Sequence, residues 1–224
     1  IGLGHLQRCL SLATALAESG CQVSFLINDA RMAVDRVAAA GFPVAQLSDV
    51  ESWSIADASR LLEEVASRGA STVVVDSDLK SATYMRKVRA AGVMLCAIED
   101  NDNDEVVAHL LLNGDAHARH QKYRSATGDT EVVLGPAYAP LASPYADYWT
   151  SGAGSEAAVP PRHLLVTLGG SDPHGLMPAL IRAAGEASPA LQLHVVVGPF
   201  TGREEEIDDA LQGLNARAIV YRAP

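Results

Sequence analysis

Gly2-Leu3-Gly4-His5-Leu6-Gln7-Arg8-Cys9 opens the chain, and Leu6, Leu10, Ala13 and Ala17 follow at helical spacing until Gly20. Two glycines two residues apart suit a tight strand-to-helix turn, where backbone also approaches a ligand closely. The apolar spacing predicts a helix of about four turns, with Gly20 just past its end. A turn of this kind normally follows a strand, which implies a strand ahead of Ile1. His5 falls in the first helical turn, where the positive end of the helix dipole disfavours imidazolium and leaves a proton-accepting ring. Arg8 is three residues on, near His5 on the helix surface and able to pair with an anionic group. Glycine-plus-histidine turns also arise by chance, and a lone histidine is often structural, so spacing alone leaves both readings open.

Outward from this turn one rhythm repeats. A strand at 23–27, a helix at 31–40, a strand at 44–47, a helix within 55–68, a strand at 72–75 ending on Asp76, a helix at 81–91 and a strand at 93–98 alternate. Such alternation implies βαβ units and a parallel sheet covered on both faces, a Rossmann-like first domain over residues 1–150. Residues 151–161 are small, lack apolar periodicity and end in Pro160-Pro161, which reads as a linker. Residues 162–224 restart the rhythm with a strand at 163–168, a helix at 175–186, a strand at 191–197, a helix at 204–214 and a strand at 216–221. This reads as the start of a second Rossmann-like domain, incomplete within the chain.

Composition bounds the partners. The 224 residues are 48% hydrophobic and 20% charged, enough to bury a real core. A net charge of -10 argues against a nucleic-acid surface but not against one small anion at a helix start. Cys9, Cys21 and Cys96 are odd in number and widely spaced, so they read as buried thiols in a reducing, cytoplasmic setting. No apolar run approaches the roughly 20 residues that span a bilayer, so membrane insertion is not expected.

A second turn carries chemistry. Val166-Thr167-Leu168-Gly169-Gly170-Ser171-Asp172-Pro173 runs from a buried strand through glycines toward a helix. Backbone N–H groups at such a helix start can hold phosphate, with the Ser171 hydroxyl as a further donor. The same residues equally make an ordinary capped helix, since Ser or Asp before Pro is common N-terminal chemistry. The acidic run 99–105 invites a calcium reading through Asp100, Asp102 and Asp104. It fails as an EF-hand, with Glu105 at the turn glycine and Leu111 at the bidentate acid, and reads as a polar loop. His117 and His120 lack a matching carboxylate or thiol partner and read as surface residues. No metal and no cofactor is expected.

Taken together, Gly2 to Cys9 with its helix, Asp76 ending a strand, Ile98-Glu99-Asp100, Leu112-Asn113, Leu134-Gly135-Pro136-Ala137-Tyr138 and Leu168 to Pro173 occur in an order that resembles a known family. It is the nucleotide-sugar hydrolase of pseudaminic acid biosynthesis, related to spore coat polysaccharide proteins, which acts on a UDP-linked diacetamido trideoxy sugar. The resemblance covers nearly the whole chain. It implies a GT-B glycosyltransferase-like architecture, two Rossmann-like domains with a cleft between them, and a nucleotide-sugar substrate. It further implies that His5 activates water, that Gly169-Gly170-Ser171 lies close to the nucleotide diphosphate, and that Gly4, Arg8, Asp76, Asp78, Asp100, Asn113, Tyr138 and Asp172 belong to the substrate site. One departure stands out: Asp78 occupies a position where members with that activity commonly carry Tyr. The alternatives are a GT-B glycosyltransferase, in which the same base activates an acceptor hydroxyl, and a noncatalytic nucleotide-sugar binding module.

Overall fold

The computed structural model of the chain describes residues 3–28, 31–47, 51–77, 80–100, 105–145, 162–187, 190–214 and 217–222. The expected linker 151–161, together with Gly2, Asp78, Asp102 and Asp104, lies outside the described residues. The chain divides into two compact units, one of Ile1 with His5–Ser151 and one of Gly2–Gly4 with Gly152–Pro224.

Helix α1 covers Leu3–Glu18, so it begins at the opening turn itself and His5 occupies its first turn. Strand β1 (Phe25–Asn28), helix α2 (Arg31–Ala39) and strand β2 (Val44–Leu47) form a parallel pair with Phe25 opposite Val44. Helix α3 (Ile55–Arg68) starts where the Ser54 hydroxyl accepts from Asp57 N–H, and it stops at Gly69 in the left-handed region. That stop is a glycine C-cap, which leaves carbonyls at the helix end partnered. Strand β3 (Thr72–Asp76), helix α4 (Ala82–Ala90), β4 (Met94–Ile98), β5 (Leu110–Asn113) and β6 (Glu131–Leu134) complete the first unit's main sheet. Its order is β3-β4-β5-β6, every pair parallel, with Asp76 opposite Ile98.

Alternation along these strands builds the core. Val73, Val75, Leu95, Ala97 and Leu111 are buried together with Tyr84, Met85 and Val88 of α4, and Leu61, Leu62 and Val65 of α3 pack against them. Fully burying a Leu such as Leu95 or Leu111, both 0% exposed, contributes about 1.5–3 kcal/mol. Strands β5 and β6 are not among the sequence-based expectations. Among the described residues no helix intervenes between β4 and β5; the His109 ring accepts from Leu95 N–H and Val106 bridges to Ser125.

In the second unit, β7 (His163–Thr167), α5 (Met177–Ala187), β8 (Gln192–Val197), α6 (Glu204–Gln212) and β9 (Ala218–Arg222) give a parallel sheet in the order β7-β8-β9. Met177, Ile181, Leu193, Val195 and Ile207 form its core. Helix α5 begins at Met177 rather than near Gly175, because Gly175 sits at φ +65°, a left-handed value incompatible with a helical first turn. The thiols do not follow the expectation uniformly: Cys9 and Cys96 are half-buried, whereas Cys21 is exposed beyond the end of α1.

Two glycines test how tightly the second unit is packed. A Cβ on Gly198, which follows β8, would run into Gly170 C and Cα at 2.7 Å, backbone that must move as a turn. A Cβ on Gly213 at the end of α6 meets only Ala210 O at 3.8 Å, and its φ of -65° suits any residue. Gly198→Ala is expected to lower the thermal midpoint, at about 1–3 kcal/mol. Gly213→Ala is expected to be neutral or to stabilise by about 0.4–1 kcal/mol. Equal midpoints in the two variants would contradict this packing.

Candidate functional site

Parallel strands end together, and side chains that follow them gather at the carboxyl edge of a sheet. Asp76 is the last residue of β3, Glu99 and Asp100 follow β4, Asn113 ends β5, and Tyr138 stands shortly after β6. The first turns of α1 bring His5 and Arg8 to the first of these. His5 Nδ1 lies 2.8 Å from Asp76 Oδ1. Arg8 Nε donates to Asp76 Oδ2 at 2.6 Å, its NH2 group to Asp76 Oδ1 at 2.5 Å, and its NH1 group to Asp100 Oδ1 at 2.5 Å. Cys9 Sγ donates to Asp76 Oδ2 at 3.4 Å. Both Asp76 oxygens are thus engaged, and its side chain is only 4% exposed.

Arg8 NH2 also lies 2.9 Å from His5 Nδ1, which fixes a choice. A neutral ring nitrogen either donates or accepts, not both. Accepting from Arg8 would set the Nδ1 lone pair against Asp76 Oδ1, whereas donating to Asp76 satisfies both atoms and leaves Arg8 its own carboxylate partners. The proton therefore belongs on Nδ1, and the lone pair on Nε2. A carboxylate that orients an imidazole in this way prepares it as a proton acceptor.

Electrostatics follow from the same contacts. Burial alone would raise the Asp76 carboxyl, but hydrogen bonds from Arg8 and His5, with the Arg8 charge, hold it below its ordinary value. Burial works against the Arg8 cation, and the Asp76 and Asp100 carboxylates more than offset it, so Arg8 stays charged. Burial and the neighbouring Asp76 charge push the Cys9 thiol up to about 12, which removes it as a nucleophile at neutral pH.

Beside this cluster stands a pair that the sequence reading missed. Lys80 Nζ meets Glu99 Oε1 at 2.8 Å, with side chains 4% and 6% exposed. The same ammonium donates to Ser77 O at 2.5 Å and Ile98 O at 3.3 Å. The available signal was Glu99 directly before Asp100 at the end of a buried strand, a position where a carboxylate needs a cation.

Other expected site residues are placed differently. Asn113 is fully buried: its amide donates to Gln121 Oε1 and Tyr123 OH, each at 2.8 Å, and its oxygen accepts from Asp115 N–H at 2.9 Å. These groups are engaged inside the fold, where they brace the end of β5. Tyr138 is exposed on a short 3-10 turn, Pro136–Tyr138. Gly4 lies within α1 with open space where a side chain would be. Of the acidic run, the described residues pair separately: Glu99 with Lys80, Asp100 with Arg8 and Glu105 with Arg86. His117 and His120 are exposed around a 3-10 turn.

In the second unit, Gly169 takes φ +75°, Phe200 N–H donates to Gly170 O at 2.9 Å, and Ser171 bridges to Phe200. Gly169 and Ser171 are exposed. Asp172 is buried, and its two oxygens accept from Leu176 N–H at 2.9 Å and Met177 N–H at 2.8 Å. The Met177 bond foremost holds its carboxyl below the usual range. The start of α5 is therefore capped by the protein's own carboxylate, and those two N–H groups are not offered to a phosphate. Among the described residues, no group of three or more His, Cys, Asp or Glu side chains gathers as metal ligands, and no helix is long and apolar enough to cross a membrane.

No family model matches the chain. An uncharacterized protein of Methanocaldococcus jannaschii is 20% identical over 216 residues, which cover 95% of this chain and 43% of that protein. Among solved structures, MurG of Acinetobacter baumannii aligns with a TM-score of 0.56 at 16% identity over 99% of this chain and 63% of its own. A glycosyltransferase from Rickettsia africae aligns with a TM-score of 0.62 at 10% identity over 98% of this chain and 64% of its own. The fold is thus α/β and GT-B-like, and the chain spans less than two thirds of each of these proteins.

The depressed Asp76 value makes a stability prediction. A carboxyl lowered on folding contributes stability that is fully present above its unfolded value of about 3.9 and is lost as pH falls through the lower folded value. Asp76→Asn is expected to cost about 3 kcal/mol at pH 7, since Arg8 loses its main partner. The gap between the native chain and this variant should persist down to about pH 5 and close below about pH 4. A gap independent of pH would show that the Asp76 charge does not hold the cluster.

Proposed function

We propose that this chain belongs to a nucleotide-sugar enzyme of the GT-B type in which His5 is the general base. The observation that carries the reading is the donation of His5 Nδ1–H to Asp76, which puts the basic lone pair on Nε2. In the proposed step, Nε2 takes the proton of a hydroxyl as its oxygen bonds to the anomeric carbon. The bond from that carbon to the diphosphate breaks, and a nucleoside diphosphate leaves. Asp76 stabilises the imidazolium that forms, and Arg8 keeps Asp76 ionised and aligned. The exposed Gly169-Gly170-Ser171 turn is the proposed phosphate-holding element of the second unit, through backbone N–H groups and the Ser171 hydroxyl rather than through Asp172.

Transfer to an acceptor hydroxyl is the favoured form of this chemistry, because a solved relative in fold is named a glycosyltransferase. Hydrolysis, with water as the acceptor, is the second reading, supported by the motif order that resembles the nucleotide-sugar hydrolase of pseudaminic acid biosynthesis. Product analysis separates them: sugar joined to an added acceptor supports transfer, and free sugar with nucleotide in equal amounts supports hydrolysis.

His5→Asn is the direct test of the base. The fold and nucleotide binding should be retained, while turnover of a saturating nucleotide sugar by the whole protein should fall by about two to four orders of magnitude. An unchanged turnover number, or loss of binding and thermal stability in parallel with turnover, would instead make His5 a structural residue.

A further inference from the structure

Lys80 and Glu99 are nearly inaccessible, and they bind each other beside, not within, the His5, Arg8 and Asp76 cluster. A buried ion pair is a poor source of stability, because desolvating both ions offsets their attraction and an apolar pair of similar volume does as well. Stability therefore does not account for the pair, and the connectivity supplies another role. The Lys80 ammonium has three N–H groups and three acceptors: Ser77 O, Ile98 O and the Glu99 carboxylate. Ser77 directly follows Asp76, Ile98 is the register partner of Asp76, and Glu99 directly precedes Asp100. One cation therefore joins the backbone just after β3 to the end of β4, next to both carboxylates that Arg8 bridges.

Two further contacts hold the same corner. Glu99 N–H donates to Leu112 O on β5, and Gln121 Nε2 donates to Asp100 O at 3.3 Å. The β3–β4 ladder pairs Asp76 with Ile98, and the Lys80 junction ties the segments just beyond it, which carry Asp76 and Asp100. Arg8 contacts both aspartates across this corner, and Asp76 Oδ1 meets both Arg8 and His5.

We propose that the buried Lys80–Glu99 pair is a positioning device: it fixes the separation of Asp76 and Asp100, and through Arg8 and Asp76 it fixes the His5 ring with its proton on Nδ1. Lys80 and Glu99 touch no substrate and act only through the carboxylates. The inference rests on the reading of His5 as a base for its effect on rate, but its structural part stands independently of any activity.

The test is the double variant Lys80→Met with Glu99→Leu, which removes both charges and keeps an apolar pair. Thermal unfolding is expected to show a folded variant with a modestly lowered midpoint, because Ser77 O and Ile98 O lose the Lys80 donor while the ion pair itself is removed with little cost. Nitrogen NMR of the His5 ring, assigned by the signals that vanish in His5→Asn, should change from one Nδ1–H form to a mixture of tautomers. Protection of the Arg8 Nε proton should fall in parallel. Turnover of a UDP-linked sugar by the whole protein should drop about 10–100-fold in kcat with KM little changed. An intact Nδ1–H form, unchanged Arg8 protection and unchanged kcat in the folded variant would overturn the proposal. If the double variant does not fold, Lys80→Gln, whose shorter side chain and two N–H groups cannot join Ser77 O, Ile98 O and Glu99 together, carries the same spectroscopic readings with the same two outcomes. A native protein that turns over no nucleotide sugar would defeat the functional reading while the ring and guanidinium signals still decide the positioning claim.

Discussion

The carboxylate of Asp76 is the contact on which the first unit's chemistry depends. It is 4% exposed and accepts from His5, twice from Arg8 and from Cys9, so four donors converge on two oxygens. Removing such a group from water is costly unless its charge is met, and the Arg8 guanidinium meets it in a two-toothed arrangement. The consequences run outward. Arg8 is held straight, Asp100 is drawn to its far side, the His5 ring is turned to donate through Nδ1, and the Cys9 thiol is kept protonated. None of these follows from a helix dipole alone, the reason first suggested by the position of His5 in the chain.

The fold supplies the place where this can happen. Parallel strands deliver Asp76, Asp100 and Glu99 to one edge, and the first turns of α1 bring His5 and Arg8 to it. At this edge two cations, Arg8 and Lys80, meet Asp76, Asp100 and Glu99, and each of the three carboxylates contacts a cation. The second unit uses a carboxylate differently: Asp172 closes the start of α5 and leaves the glycine turn ahead of it exposed.

Much of the architecture was legible because hydrophobic periodicity is a local property. Strand β2 and helix α3 occur where their patterns placed them, and the remaining expected elements shift by a few residues at their ends. Strands β5 and β6 escaped because, among the described residues, no helix separates β4 from β5, so the alternation that marks the equally short β1 and β2 is missing there. The pairing of His5 and Arg8 with Asp76 joins residues about 70 positions apart, which no spacing rule reaches. A shared motif order singled out Asn113, and the structure adds what no spacing shows: its side chain is buried and bonded to Gln121, Tyr123 and Asp115. Asp172 shows the same lesson at a helix start, where the capping and the phosphate-binding readings share one sequence and only the side-chain direction separates them. Lys80 was missed because a single lysine after a strand carries no pattern.

The central claim is that Asp76 sets the His5 tautomer, and nitrogen NMR of the imidazole at neutral pH tests it most directly. The account predicts a His5 ring protonated at Nδ1 and unprotonated at Nε2, with this preference lost in Asp76→Asn. A ring protonated at Nε2 in the native protein, or a tautomer indifferent to that substitution, would contradict it.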